Sequence, residues 1–378
     1  MGANDMIKPL WWEIRALFTN SVVLLTVFGG VFFYSFLYPL PYQHQTPREQ
    51  KIAVVNLDKS QASYQLERMI DATPQLHIVQ RLNALKEAQQ SFLDHNIAGY
   101  LVIPEHFYRD LVLGTQPTLA FAGDASYFLV YGTVVEGLTT AAGTLSAKAK
   151  ITRLLSSGES IESATREYAP SKINLKPTFN TRMGYVDYVV PAVFVLILQQ
   201  TMIMASGLIG GTQKHQHGYW NQLSVGKVMV VRLVVLVAVY YVLSMYYFGG
   251  SFSFHGINRV ASTSALVTLL LPFLITSCLI GIFLGAWTPH REYVTLVVLV
   301  SSMPLVFSAG FIWPLESMPK ALVWLADCFP STPAIQGFLA LNQMGATWQQ
   351  IAPQWTLLWG QALIWGGLAY WQFKRRGR

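Results

Sequence analysis

The chain has 378 residues, of which 52% are hydrophobic and only 12% are charged, and its formal net charge is +7. A soluble domain carries about 25% charged residues, so the composition indicates that lipid forms part of the solvent. The basic residues stand beside apolar runs and at the C-terminus, not in a stripe interleaved with aromatic residues, which argues against a nucleic-acid partner. The two cysteines, Cys278 and Cys328, exclude a disulfide framework and form no CxxC or zinc-ligand spacing.

The first predicted elements are an interfacial helix and a membrane span, together forming a segment over 1–40. Residues 7–18 mix tryptophan and leucine with charged residues, a composition typical of a helix in the membrane interface. The apolar run over 21–40 is long enough to cross a hydrocarbon core of about 30 Å. It is longer than a signal-peptide core and has no small-x-small cleavage site, so we expect an uncleaved anchor.

Residues 41–182 have the pattern of a water-soluble α/β domain. Strand-like runs at 51–58, 76–80, 97–104 and 117–124 alternate with amphipathic helical runs. This alternation predicts a mixed or mostly parallel sheet covered by helices. We therefore expect an α/β domain inserted between the first and second membrane spans, without a catalytic cluster.

Five further apolar runs follow in a membrane domain over 183–378, so the predicted fold class is an α-helical polytopic membrane protein with six transmembrane helices. The later spans are expected at 186–211, 228–248, 264–287, 291–313 and 353–373. Lys and Arg residues before the first span and after the sixth place both termini in the cytoplasm. The inserted domain then lies outside, and we expect the spans in the inner membrane of a bacterium with this domain in the periplasm.

Nucleotide-binding motifs are missing from the sequence. Gly226–Lys227 lacks both the upstream glycine and the following Ser or Thr of a phosphate-binding loop. Any ATP dependence must therefore come from a partner chain, and we expect neither catalytic residues nor a bound cofactor in this one. His215 and His217 lack a nearby third ligand, so no metal site is predicted.

A polar and thioether patch in the second span is the candidate translocation path. It comprises Gln199, Gln200, Thr201 and Met204. Such residues can accommodate varied apolar ligands, and they can equally form hydrogen bonds between packed helices. Deep Asp, Glu or His residues, which proton-coupled transporters usually need, are missing from the predicted spans. Arg232 lies near the start of its span and is expected to snorkel to the cytoplasmic interface.

Residues 308–345 form the most distinctive segment of the sequence. Prolines divide this segment, glycines flank it, and a short apolar helix is predicted between the prolines. Irregular backbone at membrane depth is tolerated only where protein or a water-filled cavity covers it. We therefore predict a re-entrant pair of short helices over 314–345 at the outer membrane face, with an ordinary loop as the alternative. Its signature residues are Gly310, Pro314, Met318, Pro319, Pro330, Pro333 and Gly337.

The run from Gly310 to Pro319 resembles the signature of ABC-2 type exporter permeases, in which a span ends in Gly-Phe-Ile-x-Pro-x-x-x-Met-Pro. VVNLDKS with DATP is similar to the opening of the family's external domain, and YVDYVVPAVFVLIL is similar to the start of its second span. The resemblance extends over nearly the whole chain and implies a type V exporter-like fold with a cytoplasmic coupling loop at 211–227. By this resemblance the residues that couple to the ATPase are Lys214, His217, Gly218, Trp220, Leu223, Gly226 and Lys227.

The resemblance implies the permease subunit of an ATP-binding cassette exporter for a drug-like amphiphile, a lipid or a similar substrate. Its partners would be an ABC ATPase that carries ATP and magnesium, and a second permease chain in a homodimer or heterodimer. By analogy with such exporters, a periplasmic adaptor and an outer-membrane channel would be further partners. The alternative functions are a membrane-anchored periplasmic sensor or assembly factor and a secondary transporter.

Overall fold

The computed structural model describes residues 4–43, 47–168, 178–182, 184–213 and 219–376. The chain forms two compact units, one of Met1–Gln43 with Pro177–Arg378 and one of His44–Lys176. In chain order the helices and strands are α1 (Asn4–Thr19), α2 (Ser21–Leu24), α3 (Gly30–Leu37), β1 (Gln50–Asn56), α4 (Gln61–Asp71), β2 (Leu76–Leu82), α5 (Leu85–Leu93), β3 (Gly99–Ile103), α6 (Phe107–Leu113), β4 (Ala120–Gly123), α7 (Phe128–Ser156), α8 (Ile161–Tyr168), α9 (Val189–Gln213), α10 (Val225–Met245), α11 (Phe252–Phe254), α12 (Thr263–Trp287), α13 (Glu292–Ser308), α14 (Lys320–Ala326), α15 (Ser331–Asn342) and α16 (Trp348–Arg376).

The His44–Lys176 unit is built on a four-stranded sheet with the strand order β2-β1-β3-β4. β1 pairs in parallel with β2 and β3, whereas β4 runs antiparallel to β3. Every residue of β1 from Ile52 to Asn56 is buried, because strands flank it on both edges and helices cover the sheet. A continuous apolar run such as IAVV is typical of a central strand in a parallel sheet.

α7 completes the core of this unit. Val134, Leu138, Ala141 and Leu145 recur at spacings of three and four residues, so they form one stripe that packs with Leu66 of α4 and with the sheet. α7 is also long and apolar enough to cross a membrane by length and composition. Because its stripe is part of the α/β core, we do not count α7 among the membrane spans.

Five helices in the described part of the chain are long and apolar enough to cross a membrane. They are α7 and four helices of the other unit at Ser21–Tyr42, Val189–Gly211, Val225–Phe254 and Thr263–Trp287. Those four coincide with predicted spans. The span predicted at 291–313 corresponds to α13, which is apolar but has only 17 residues, and the span predicted at 353–373 lies within the longer and less apolar α16. The six-span count therefore stays a prediction.

α9 and α12 lie at the centre of the helical unit, where small residues let their backbones approach closely. A Cβ atom added at Gly285 would lie 2.6 Å from the carbonyl oxygen of Gly207, and one added at Gly281 would clash with Ser206. Ser206 Oγ donates a hydrogen bond of 3.1 Å to the carbonyl oxygen of Cys278. Membrane helices depend on such close packing for their association. Lipid tails are as apolar as the helix side chains, so no hydrophobic effect drives the helices together.

α3 is attached to the helix Val225–Phe254 at a π-helical turn, Tyr246–Ser251. The hydroxyl of Tyr247 donates a hydrogen bond of 2.8 Å to the carbonyl oxygen of Val31. Next to it, the hydroxyls of Ser35 and Tyr246 share a hydrogen bond of 2.9 Å. π-helical turns are rare and frequently mark functional positions, and this one brings two adjacent tyrosines to α3.

We predict that Gly285→Leu lowers the stability of the helical unit, because the new side chain would meet backbone atoms of Gly207 that cannot rotate away. Overpacking of this kind costs about 1–3 kcal/mol. The measurement is the melting temperature of the detergent-solubilised chain, followed by fluorescence-detected size exclusion. Gly367→Leu on α16 is the matched control, since a Cβ at Gly367 meets no atom within 4 Å. Equal melting temperatures for both variants would contradict the close contact of α9 and α12.

Candidate functional site

One carboxylate joins three segments of the helical unit. Glu13 of α1 and Arg232 of α10 are both 0% exposed, and Glu13 Oε1 accepts a hydrogen bond of 2.7 Å from Arg232 Nε. Trp220 Nε1 donates a hydrogen bond of 3.1 Å to the second oxygen, Oε2. Trp220 belongs to a 3₁₀ turn, Tyr219–Gln222, that precedes α10. We call Glu13, Trp220 and Arg232 the Glu13 network.

The sequence of α1 explains why Glu13 points inward. Pro9, Glu13 and Leu17 are spaced four residues apart and all three are buried, so they form one face of the helix. The opposite face carries Trp11 and Phe18, which are more than half exposed. A helix with an apolar outer face and charged residues beside it is typical of the membrane interface.

The prediction that Arg232 snorkels to the interface is wrong. Its side chain is 1% exposed and paired with Glu13, whose side chain is 0% exposed. Burying an unpaired guanidinium would cost several kcal/mol, and the carboxylate of Glu13 offsets this cost for Arg232. The sequence does indicate that Glu13 is buried, because it lies on the same helical face as Pro9 and Leu17. No local pattern, however, identifies Arg232 as its partner, since the two residues are 219 positions apart.

Among the predicted coupling residues, Trp220 forms a side-chain hydrogen bond to a distant helix, through Glu13 of α1. Lys214, His217 and Gly218 lie outside the described residues. Leu223 follows the 3₁₀ turn, and its backbone N–H donates to the carbonyl oxygen of Trp220 at 3.2 Å. Gly226 and Lys227 lie in the first turn of α10 and are half-buried.

The predicted translocation-path residues face different neighbours. Gln200 Nε2 donates to Ser302 Oγ of α13 at 2.9 Å, and Thr201 Oγ1 donates to a carbonyl oxygen of its own helix at 2.7 Å. Met204 packs with apolar residues of α12 and α13. Gln199 is 0% exposed, and neither polar atom of its side chain has a partner among the described residues. Since buried polar groups are normally hydrogen-bonded, Gln199 retains the capacity to bind water or a ligand.

The segment predicted to be re-entrant contains two short helices, α14 and α15. Gly310 precedes them with φ +86°, and a Cβ there would lie 2.7 Å from Leu315, so only glycine fits without strain. Met318 ends a 3₁₀ turn that begins after Pro314. Proline residues mark the start of both helices, with Pro319 before α14, Pro330 before α15 and Pro333 in the first turn of α15.

Contacts from two neighbouring helices fix this segment. Gln361 of α16 donates from Nε2 to the carbonyl oxygen of Asp327, between α14 and α15, at 2.6 Å. Gly337 of α15 lies against α12, where a Cβ would meet Leu269 at 3.0 Å. α14 and α15 are therefore parts of a packed arrangement rather than a free loop.

Within the residues that the structure describes, no group of three or more His, Cys, Asp or Glu side chains could hold a metal ion. The histidines that the structure describes are distributed over both units. His255 Nε2, for example, lies 3.0 Å from the carbonyl oxygen of Ser35, where it adds to the attachment of α3.

The chain matches the family model described as ABC-2 family transporter protein over residues 21–371. Because this match covers most of the chain, the protein belongs to the ABC-2 transporter family, and the resemblance noted in the sequence is confirmed. It is a membrane-embedded transmembrane subunit of an ABC transporter, and the family implies an ABC ATPase as its partner. A comparison with curated proteins found no match.

We predict that Glu13→Ala destabilises the chain by about 3–5 kcal/mol, because it leaves the Arg232 guanidinium buried without its anion. The double variant Glu13→Leu with Arg232→Met should recover most of this loss, since two apolar side chains replace both charges. The measurement is thermal unfolding in detergent.

Glu292→Ala is the matched control for a carboxylate paired with an arginine. Its partner Arg291 is 43% exposed and Glu292 itself is 72% exposed, so water screens the pair and the melting temperature should hardly change. A melting temperature of Glu13→Ala equal to that of Glu292→Ala would contradict the burial of the Glu13 network.

Proposed function

We propose that this chain is the permease of an ATP-driven exporter and that its loop at 211–227 docks onto the ATPase. The observation that supports the proposal is the hydrogen bond from Trp220 to Glu13, which connects the middle of that loop to both α1 and α10. A displacement of the turn around Trp220 would pull on the carboxylate of Glu13. Because separating the buried charges of Glu13 and Arg232 costs free energy, α1 and α10 would move together with the turn.

The proposed topology has six spans with both termini in the cytoplasm and the His44–Lys176 unit in the periplasm of a bacterial inner membrane. Basic residues support a common side for the two termini. Lys8 and Arg15 precede the first predicted span, and Lys374, Arg375 and Arg376 follow the last. Segments on the cytoplasmic side of membrane spans carry an excess of Lys and Arg.

In the proposed working unit, two permease chains assemble with two ATPase subunits. ATP and magnesium bind to the ATPase subunits, so ATP hydrolysis is assigned to the partner and not to this chain. The substrate, an amphiphile or lipid, would pass the polar patch around Gln199 and leave beside the segment 314–345. An adaptor and an outer-membrane channel would extend the path beyond the inner membrane.

The first experiment is purification of the tagged chain from its native membrane in mild detergent, with mass spectrometry of the proteins that accompany it. Stoichiometric recovery of a soluble protein with Walker motifs is the expected result. Recovery of the intact chain without any ATPase would contradict the exporter and favour a sensor or assembly function.

We predict that Trp220→Ala lowers substrate-stimulated ATP hydrolysis of the reconstituted complex about tenfold. This is the effect of losing roughly 1.4 kcal/mol, which is comparable with one hydrogen bond to a charged group. Trp220→Phe keeps the ring but loses the donor, so its activity should lie between those of the wild type and Trp220→Ala.

The matched control is Trp371→Ala, an exposed tryptophan of α16 that lies outside the predicted coupling loop. Each variant is first checked for membrane insertion and melting temperature. Wild-type ATP hydrolysis and export by a well-folded Trp220→Ala variant would remove the coupling role assigned to this loop.

A further inference from the structure

The His44–Lys176 unit has an apolar groove that its core does not fill. Two cavities of about 480 and 350 Å³ open between α4, α6 and α7. Leu111, Leu145, Ala149 and Arg153 line both cavities, so the two form one continuous depression, which we call the α6–α7 groove. Each volume falls in the range of about 300–1,000 Å³ that is typical of ligand pockets.

The floor of the α6–α7 groove is rigid and apolar. Leu66, Phe107 and Leu145 are no more than 5% exposed and belong to the core of the unit. Closer to solvent, Tyr108 and Val112 of α6 are each 53% exposed beside the same groove. Because core residues hold the floor in place, a ligand would meet a preformed apolar surface and would lose little free energy in ordering it.

The charge along the α6–α7 groove has a single sign. Lys148, Lys150 and Arg153 of α7 line it, and neither cavity is lined by an Asp or Glu residue. In the described part of the chain, Lys148 and Arg153 form no ion pair. Lys148 and Arg153 beside an apolar floor are complementary to a molecule with an anionic head and an apolar body.

Gly114 helps to position Arg153. This glycine ends α6 with φ +76°, a conformation that L side chains rarely adopt, and an added Cβ would clash with Arg153 Nη1. The guanidinium therefore occupies space that only a glycine leaves open. The C-terminal end of a helix carries partial negative charge, which helps to hold a cation at this position.

We propose that the α6–α7 groove binds a single-chain amphiphile with an anionic head group. The alkyl chain lies on the floor formed by Phe107, Leu111 and Leu145, and the head group accepts hydrogen bonds from Arg153 and Lys148. Binding depends on this unit alone, so it can be measured whether or not the chain exports the ligand.

The test uses the full chain in nanodiscs of zwitterionic phosphatidylcholine, with palmitic acid bearing a diazirine as a photo-crosslinking probe. Cross-linked peptides are identified by mass spectrometry. We expect labelling of peptides that contain 107–117 and 142–156. Unlabelled palmitate should compete, whereas hexadecanol should compete at least about tenfold more weakly, because it cannot form charge-assisted hydrogen bonds.

Two kinds of variant separate charge from shape. Arg153→Gln with Lys148→Gln should lower labelling of the groove about tenfold or more by removing the cationic donors, and Ala149→Trp should abolish it by filling the groove. The matched controls are Lys86→Gln, an exposed cation of α5, and Thr144→Trp on the exposed face of α7. Both controls should label as the wild type does.

Three results would overturn the proposal. The first is equal competition by palmitate and hexadecanol, and the second is labelling confined to the membrane helices. The third is unchanged groove labelling in a well-folded Ala149→Trp variant. If Ala149→Trp instead changes the oligomeric mass of the chain while the probe never labels the groove, the groove is a contact between copies and not a ligand site.

Discussion

An ion pair buried within the helical unit connects α1 to α10. Glu13 and Arg232 are both inaccessible to water, and removal of either charge would leave the other buried without this pairing, which costs about 3–5 kcal/mol. Their pairing fixes the interfacial helix α1 against α10, and the second oxygen of the carboxylate takes up the indole of Trp220. A surface helix, a membrane helix and the turn between two membrane helices thus share one electrostatic constraint. In the proposed mechanism, a movement of that turn would act on hydrogen bonds shared with both helices, and this link would connect the subunit to a separate ATPase.

Close packing between helices also stabilises the helical unit. The contact of α9 with α12 relies on glycine and serine, and its tolerance for added volume is very small because the opposing atoms belong to the backbone. Around this pair, some buried polar groups have no hydrogen-bond partner among the residues that the structure describes, including the amide of Gln199. A transporter needs both properties, since a rigid centre transmits force and residual hydrogen-bonding capacity offers a transient place for a substrate or water. The α/β unit adds a different kind of surface, apolar within and cationic at its edge.

Much of the fold could be predicted from local patterns. The apolar runs around β1 and β3 identify buried strands, and the prolines at 314–333 bound α14 and α15, because proline restricts backbone geometry wherever it occurs. Three features could not be predicted. The partner of Arg232 lies in another helix, the contact of Gly207 with Gly285 depends on how two helices meet, and the antiparallel direction of β4 has no counterpart in its own sequence. The apolar composition of α7 is ambiguous by itself, and only its packing in the α/β core distinguishes it from a membrane helix.

The separation of Glu13 and Arg232 along the chain has a consequence for biosynthesis. The carboxylate leaves the ribosome 219 residues before the guanidinium that it neutralises. While the intervening segment is being made, Glu13 lacks the guanidinium to which it is bound in the folded chain. Arg232 of α10, in turn, gains this carboxylate only when α1 packs against α10. The contact between α1 and α10 therefore forms only after Arg232 has been synthesised, so a nascent chain released before that point would contain Glu13 without this cationic partner.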